Sequence, residues 1–491
     1  MNPVPPVRVR DANDQPLQAD GEYVVYWMIA HRRTTHHFGL QQAVGWARHF
    51  HRPLVVFEPL RCGYRWASDR IHRFIIDGMI DNARRLSDAA AFYYPYLEPE
   101  PRAAEGLLEA VARRACVVVT DDFPCFFLPT MVKLAARRLT VRLQTVDSNG
   151  LYPMHATDRV FTVAHSFRRF LQKELRPHLE ELPVADPLAG LRLPRLANLP
   201  PEIERRWPAA RLDKLAVTGD GMGDFPIDHA VPALAQRGGP EAARQTLQRF
   251  VRERLTHYAT ERNEPEREVA SGLSPYLHFG HISAHEVFDA VMRRDAWTPE
   301  KLTVRPHGKA QGWWQASPEV ESFLEELITW REIGYNFCAH RSDYDRYSSL
   351  PDWVQATLRK HASDRRSHVY SRDEFEAAST HDPLWNAAQR QLVREGRIHN
   401  YLRMLWGKKI LEWTACPEDA LHVMVHLNNK YAIDGRNPNS YSGIFWVLGR
   451  YDRPWGPERS VFGTVRYMSS ENTARKVEVQ GYLARYACSS V

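Results

Sequence analysis

Residues 397–413 read RIHNYLRMLWGKKILEW, and in them Asn400, Arg403 and Met404 stand at i, i+3 and i+4, the spacing that lines side chains along one helical face. Trp406 lies beside that face. Trp413 follows seven residues after it, about 10.5 Å further along the axis at nearly the same angle. Indoles in line are common in packed cores, so the spacing alone leaves open both a core helix and a helix lining a site.

Three other stretches are as dense in reactive groups. LNNKYAIDGRNPNSYSGIFW, residues 427–446, sets Asn428, Asp434 and Arg436 in a segment broken by Gly and Pro and flanked by apolar residues. Amides and charges of this density serve turns, and they equally suit a polar ligand when turned inward. YATERNEPEREVASGLSPYLHFGHIS, residues 258–283, contains Ser274 followed by Pro275, which reads as the N-cap and first residue of a helix. The free N–H groups of such an end can receive phosphate, with Ser271, Gly272 and Ser274 as a cradle for pyrophosphate. In SFLEELITWREIGYNF, residues 322–337, Glu326 and Trp330 stand at i and i+4. If that pair lines a cavity, desolvation raises the carboxyl pKa and lets it donate a hydrogen bond; on a surface it is an ordinary half-buried pair. The chain has no G-x-G-x-x-G after a strand pattern, no G-x-x-x-x-G-K-[ST], no H-E-x-x-H and no G-x-S-x-G, which argues against a dinucleotide fingerprint, a P-loop, a zinc protease helix and a serine-hydrolase elbow.

The elements that must position these residues fall into two series. From Glu22 onward short β-branched runs alternate with helical patterns, as in YVVYWMI, GLQQAVGWARHF, PLVVFEP, RIHRFIIDGMIDNARRL, CVVVTDD and TVRLQTVD. Strands separated by helices predict a parallel sheet covered by helices, an α/β domain over residues 21–185 closed by the helix SFRRFLQKEL. Residues 186–239 are interrupted repeatedly by Pro and Gly and read as an interdomain linker. From residue 240 to 491 the strong patterns carry the helical period, which predicts an all-α domain. Residues 1–20, polar and Pro-containing, read as a flexible tail.

At 491 residues the chain exceeds what one core supports, and its net charge of +6 permits an anionic partner. Over residues 390–409 Arg390, Arg394, Arg397, Arg403, Lys408 and Lys409 face a single acid, Glu395, so positive charge gathers in the C-terminal half. The six cysteines form no C-x-x-C pair, which suggests neither a disulfide framework nor a zinc site and fits a reducing cytoplasm. No run has the composition of a signal peptide or a membrane span.

SGLSPYLHFGHIS, EELITWREIGYNF, DPLWNAAQRQLVREGRIHNYLRMLWGKKILEW, NKYAIDGRNPNSYSGIFW and SVFGTVRYM, in this order over roughly residues 240–470, resemble the DNA photolyase and cryptochrome family, most closely the class II cyclobutane pyrimidine dimer photolyases. The resemblance implies an α/β antenna-type domain with a Rossmann-like sheet, a long linker, and an all-α domain holding non-covalent FAD. It places Tyr258, Ser271, Gly272, Leu273 and Ser274 by the FAD phosphates and ribityl chain. Arg403 and Asp434 would pair against the flavin ring and Asn428 would face its N5. Arg436 stands in the cofactor loop where class I members carry a second Asp.

For the substrate, the resemblance implies that Glu326, Asn400 and Met404 stabilise the dimer radical anion and that Trp330 and Trp446 wall the dimer. Trp406, Trp385 and Trp413, in that order outward, match a chain that carries electrons to oxidised flavin. Arg466, with Arg453 and Arg459 in the loop GRYDRPWGPERS, would contact UV-damaged DNA through the gap left by a flipped-out dimer, photolyases being among the enzymes that extrude their target. The implied activity is light-driven dimer repair by electron transfer from excited reduced FAD, by a monomer in a compartment that reaches DNA. The alternative is a cryptochrome-like photoreceptor, disfavoured by Glu326, the two tryptophan walls and the short segment after Arg475. An antenna chromophore such as 8-hydroxy-5-deazaflavin is a family expectation with no residue of its own in this sequence.

Overall fold

Six strands form one sheet in the computed structural model, which describes residues 3–218 and 222–488: β1 (Val9–Asp11), β2 (Tyr23–Trp27), β3 (Leu54–Leu60), β4 (Phe92–Leu97), β5 (Ala115–Asp121) and β6 (Leu143–Val146). Their order is β1-β6-β5-β2-β3-β4, and every pair is parallel except β1 with β6. Parallel neighbours need crossovers, which are supplied by α1 (Phe38–Phe50), α2 (Asp69–Ser87), α3 (Leu107–Ala112) and α4 (Leu128–Arg138). β2 and β5 are buried along their whole length. Strands shielded on both faces have no polar side to show, and this is why YVVYW and ACVVV read as nearly continuous apolar runs. α1 contributes Phe38, Leu40, Val44 and Ala47 to a core shared with Val24, Tyr26, Val56, Val117 and Val119. Each fully buried Val, Leu or Phe there contributes about 1.5–3 kcal/mol.

The chain divides into two compact units. The first holds the chain up to Asp158 together with Leu175–Gln248 and Gly272–Pro299; the second holds Arg159–Glu174, Arg249–Ser271 and the chain from Glu300 onward. This division differs from the boundaries at 185 and 240. All but the last residue of the helix SFRRFLQKEL lies within α5 (Ala164–Glu174), which groups with the helical unit, where Arg168 Nε donates to Glu325 Oε2 at 2.9 Å and Gln172 Nε2 donates to Lys309 O at 3.0 Å. Sequence adjacency to the sheet did not reveal these distant partners.

Residues 186–239 are also more than a linker, although residues 219–221 lie outside the described residues. Leu199, Ile203, Trp207 and Leu212 are buried, and Trp207 Nε1 donates to Ala103 O at 2.8 Å. The apolar side chains between the prolines anchor the segment within the first unit. Residues 3–20, within the stretch read as a flexible tail, are tied to the sheet. Val9–Asp11 pairs with Val146–Gln144 as the antiparallel edge strand. Arg8 is buried, donating to Gly150 O at 3.1 Å and Leu151 O at 2.7 Å with its guanidinium 4.6 Å from the centre of the Phe38 ring. A three-residue strand is too short to leave a period in the sequence.

The second unit has no strand among its described residues. Its frame is α5, α6 (Pro318–Leu324), α7 (Arg331–His340), α8 (Pro383–Glu395), α9 (Asn400–Trp413), α10 (Pro417–Tyr431) and α11 (Pro438–Val447). α9 packs against α8, α10 and α11, and α7 packs against α11. Being enclosed on several sides, α9 buries Leu402, Leu405, Trp406, Ile410, Leu411 and Trp413, which is why RIHNYLRMLWGKKILEW mixes apolar and polar residues instead of dividing into two faces.

Candidate active site

α9 begins at Asn400, which is exposed, while Arg403 and Met404 are half-buried, so the face read from the spacing is accessible within its unit. Arg403 Nη2 lies 3.8 Å from Asp434 Oδ1, and Arg403 Nε is buried without a hydrogen-bond partner among the described residues. Asp434 sits in the loop between α10 and α11. Its backbone carbonyl accepts from Ser440 Oγ at 2.8 Å and from Asn437 Nδ2 at 2.9 Å, and Asn428 Nδ2 donates to Ser440 Oγ at 3.2 Å. Arg436 adopts φ 65° and turns its guanidinium onto the end of α10, donating from Nη2 to Ala432 O and Ile433 O, each at 3.1 Å, and from Nη1 to Asn429 O. Its visible work is to satisfy helix-end carbonyls and hold the loop. An arginine with an unsatisfied buried N–H, a carboxylate and an amide on one hydrogen-bonded frame suit a flat ring that carries negative charge and a polar edge.

Glu326 and Trp330 do not stand on a regular α-helix. Glu325–Trp330 forms a π-helical turn between α6 and α7, a local widening that often accompanies functional residues. Arg262 Nη1 donates to Glu326 Oε1 at 2.6 Å. Burial raises the Glu326 pKa, while the Arg262 charge and hydrogen bond pull it back. The sequence leaves open a carboxyl raised by burial in a cavity and an ordinary half-buried pair; the structure adds a cation that sequence spacing did not reveal. Tyr258, one turn before Arg262, is buried edge-on against Phe250 and Phe323 at 5.7 and 5.5 Å, and burial pushes its hydroxyl pKa up.

Trp330 and Trp446 stack on one another, ring centres 4.9 Å apart at 30°, and both remain partly exposed. They form one continuous indole surface. Trp406, Trp385 and Trp413 are all buried. Trp385 Nε1 donates to Trp406 O at 2.9 Å, and the Trp385 and Trp413 ring centres lie 6.1 Å apart. Trp406 Nε1 donates to Gln389 Oε1 at 2.9 Å, which fixes the ring without charging it.

The segment after α11 brings Arg459 and Arg466 onto a common groove, and sets Arg453 against the Trp455 ring that lines it. A cavity of about 300 Å³ is lined by Tyr401, Trp455, Arg459, Arg466, Tyr467 and Lys476, among others. Arg453 and Arg466 lie 4.9 and 5.2 Å from the Trp455 ring centre, and Arg459 lies 4.9 Å from that of Tyr467. An indole 37 % exposed between two guanidinium groups offers a stacking plate inside a positive field. Trp455 was missed in the sequence; a tryptophan set between Pro and Gly in a basic loop was the available signal.

Ser271 is grouped with the helical unit, and Gly272, Leu273 and Ser274 with the first unit. Leu273, not Ser274, is the N-cap of the helix Ser274–His278, and no side-chain hydrogen bond caps it. The pair Ser274-Pro275 therefore occupies the first two helical positions. Gly272 has φ +71°, which explains a glycine there.

The chain is 34 % identical over 480 residues to the deoxyribodipyrimidine photo-lyase of Methanothermobacter thermautotrophicus, covering 97 % of each chain. It is 36 % identical over 484 residues to that of Oryza sativa subsp. japonica, covering 94 % of this chain and 87 % of the relative. The fold is similar to a bacterial class III photolyase from Agrobacterium tumefaciens, with TM-score 0.66 and 17 % identity over 95 % of this chain and 86 % of that one. No protein-family model matches the chain. With identities of 34 % and 36 % sustained over nearly the whole length, the chain belongs to the deoxyribodipyrimidine photo-lyase family.

Proposed function

We propose that this protein is a light-driven lyase that repairs cyclobutane pyrimidine dimers in DNA, a class II member that holds FAD in its helical unit and acts as a monomer wherever the cell keeps its DNA. The observation that carries this reading is the near-full-length likeness to relatives named deoxyribodipyrimidine photo-lyase, 34 % identical in the first case. Among the described residues no helix is long and apolar enough to cross a membrane.

Arg403, Asp434 and Asn428 are the residues that would hold the flavin ring, and Tyr258, Ser271, Gly272, Leu273 and Ser274 its phosphates and ribityl chain. When bound, reduced FAD supplies on illumination the electron that opens the dimer. The Arg403 charge, partly shielded from water, favours an anionic ring by direct attraction, and its unused N–H supports that assignment. Asp434 opposes and orients that charge at 3.8 Å. Glu326, Asn400 and Met404 line the dimer: the carboxyl donates to a pyrimidine carbonyl when protonated and accepts from a ring N–H when ionised, a balance set by burial against the Arg262 charge. Trp330 and Trp446 exclude water from one side of the dimer. Arg453, Arg459 and Arg466 bind phosphates, giving affinity that is independent of sequence and weakened by salt.

An antenna such as 8-hydroxy-5-deazaflavin belongs to the same proposal. The strand order reverses beside β2, where folds of this kind receive ligands, and the buried Trp27 Nε1 at its C-terminal end has no hydrogen-bond partner among the described residues.

The test is to illuminate purified, chemically reduced protein with an oligonucleotide containing one dimer and to follow dimer loss beside a dark control. Dimer loss only in the light is expected. Spectral change without dimer loss would indicate the photoreceptor alternative.

A further inference from the structure

WGKKILEW contains two adjacent lysines in the middle of α9. Lys409 has an ordinary partner, Glu412 Oε2 at 2.8 Å. Lys408 has none of that kind: it is fully buried, and among the described residues no carboxylate lies within ion-pairing distance of it. Its Nζ donates instead to Val447 O, the last residue of α11. That helix end is completed carbonyl by carbonyl, since Phe445 O accepts from Arg450 N and Trp446 O from Gly449 N, each at 2.9 Å. The Val447 carbonyl falls to the lysine. A cation there also meets the negative end of the helix dipole.

The approach of α9 to α11 is built for this contact. A Cβ at Gly407 would lie 2.6 and 2.9 Å from the two methyls of Val447, so only glycine lets the helices touch at the turn from which Lys408 reaches across. A buried ammonium without a carboxylate is a costly way to fill space that a methionine would fill more cheaply. Its charge is the feature that an apolar residue cannot supply.

We propose that Lys408 is a positioning residue for the lesion pocket: its ammonium pins the C-terminal end of α11 and so keeps Trp446 stacked on Trp330. The inference rests on the reading that these two indoles wall the dimer. The charged groups that face Lys408 from the following loop are Asp452, which attracts it, and Arg466, which repels it. Asp452 Oδ1 also accepts from Trp455 Nε1 at 3.0 Å, which ties the carboxylate that attracts the ammonium to the indole of the basic groove. Burial lowers the Lys408 pKa from 10.5 to about 7, so the clamp is charged in mildly acidic solution and neutral in mildly alkaline solution.

The experiment measures, at fixed salt, the affinity of flavin-loaded protein for a dimer-containing and an undamaged oligonucleotide on both sides of pH 7. In the native protein the preference for the dimer falls several-fold as pH rises through that value, and tryptophan emission changes with the same midpoint. Lys408→Met shows the low preference at every pH. A native preference that is flat across this range overturns the proposal even if Lys408→Met fails to fold, and so does a folded Lys408→Met that behaves as the native chain. Trp446→Leu separates the two readings: loss of dimer preference in it, with Lys408→Met and the native profile unaffected, refutes the clamp alone, whereas retained preference refutes the wall.

Discussion

Arg262 Nη1 stands 2.6 Å from Glu326 Oε1, joining two positions 64 residues apart. The arginine thereby opposes the effect of burial on the proton affinity of the carboxyl. Burial raises the Glu326 pKa above 4.5, and a carboxyl with a raised folded pKa loses stability as pH rises through it. Replacing Arg262 with methionine removes the opposing charge and enlarges that loss. The melting temperature of Arg262→Met should therefore fall more steeply than the native one as pH rises above the usual glutamate range. The double variant Arg262→Met, Glu326→Gln should be flat there. Equal slopes in the native and single-variant proteins would refute the coupling.

Trp406 is buried and neutral, held by Gln389 and linked through its carbonyl to the Trp385 indole. Trp406→Phe should abolish photoreduction of oxidised flavin while leaving repair by chemically reduced enzyme unchanged. Transient absorption and a dimer-loss assay on the same sample decide this.

In the groove, Arg466→Ala should weaken binding to dimer-containing DNA and lower the slope of log affinity against log salt by about one, as expected when one fewer phosphate is neutralised. Trp455→Ala should cost about 1–3 kcal/mol if a base stacks on the indole, with little change in salt slope. Titrations at several salt concentrations separate the two effects.

Lys408 also leaves a mark on stability. Between its folded value of about 7 and its ordinary 10.5 the unfolded chain binds the extra proton, so folding is favoured by rising pH across that window and the gain is lost as pH falls to 7. The slope attributable to this group approaches about 1.4 kcal/mol per pH unit. Denaturant titrations of native protein should show it and those of Lys408→Met should not.

What the sequence disclosed followed the range of the interactions. Alternating β-branched and helical runs are local, and they led directly to the sheet. The face shared by Asn400, Arg403 and Met404 was legible for the same reason, because one helix carries all three. Partners across helices were not: Arg262 on Glu326, Gln389 on Trp406 and Lys408 on Val447 join residues that no periodicity relates. The π-turn at Glu325–Trp330 was invisible because one widened turn leaves no distinct spacing. The cofactor roles came from matching motifs, since spacing alone could not distinguish a packed indole from one in an electron path.

β1 occupies the flank of β6, with Arg8 plugged in behind it. Cut away, those few amino acids would bare a row of unpaired amides and carbonyls, the kind of open seam through which sheets recruit copies of themselves. Laboratory trimming of the chain at Glu22 would thus trade tidy solution behaviour for self-association, at a spot far along the sequence from any residue proposed to touch DNA.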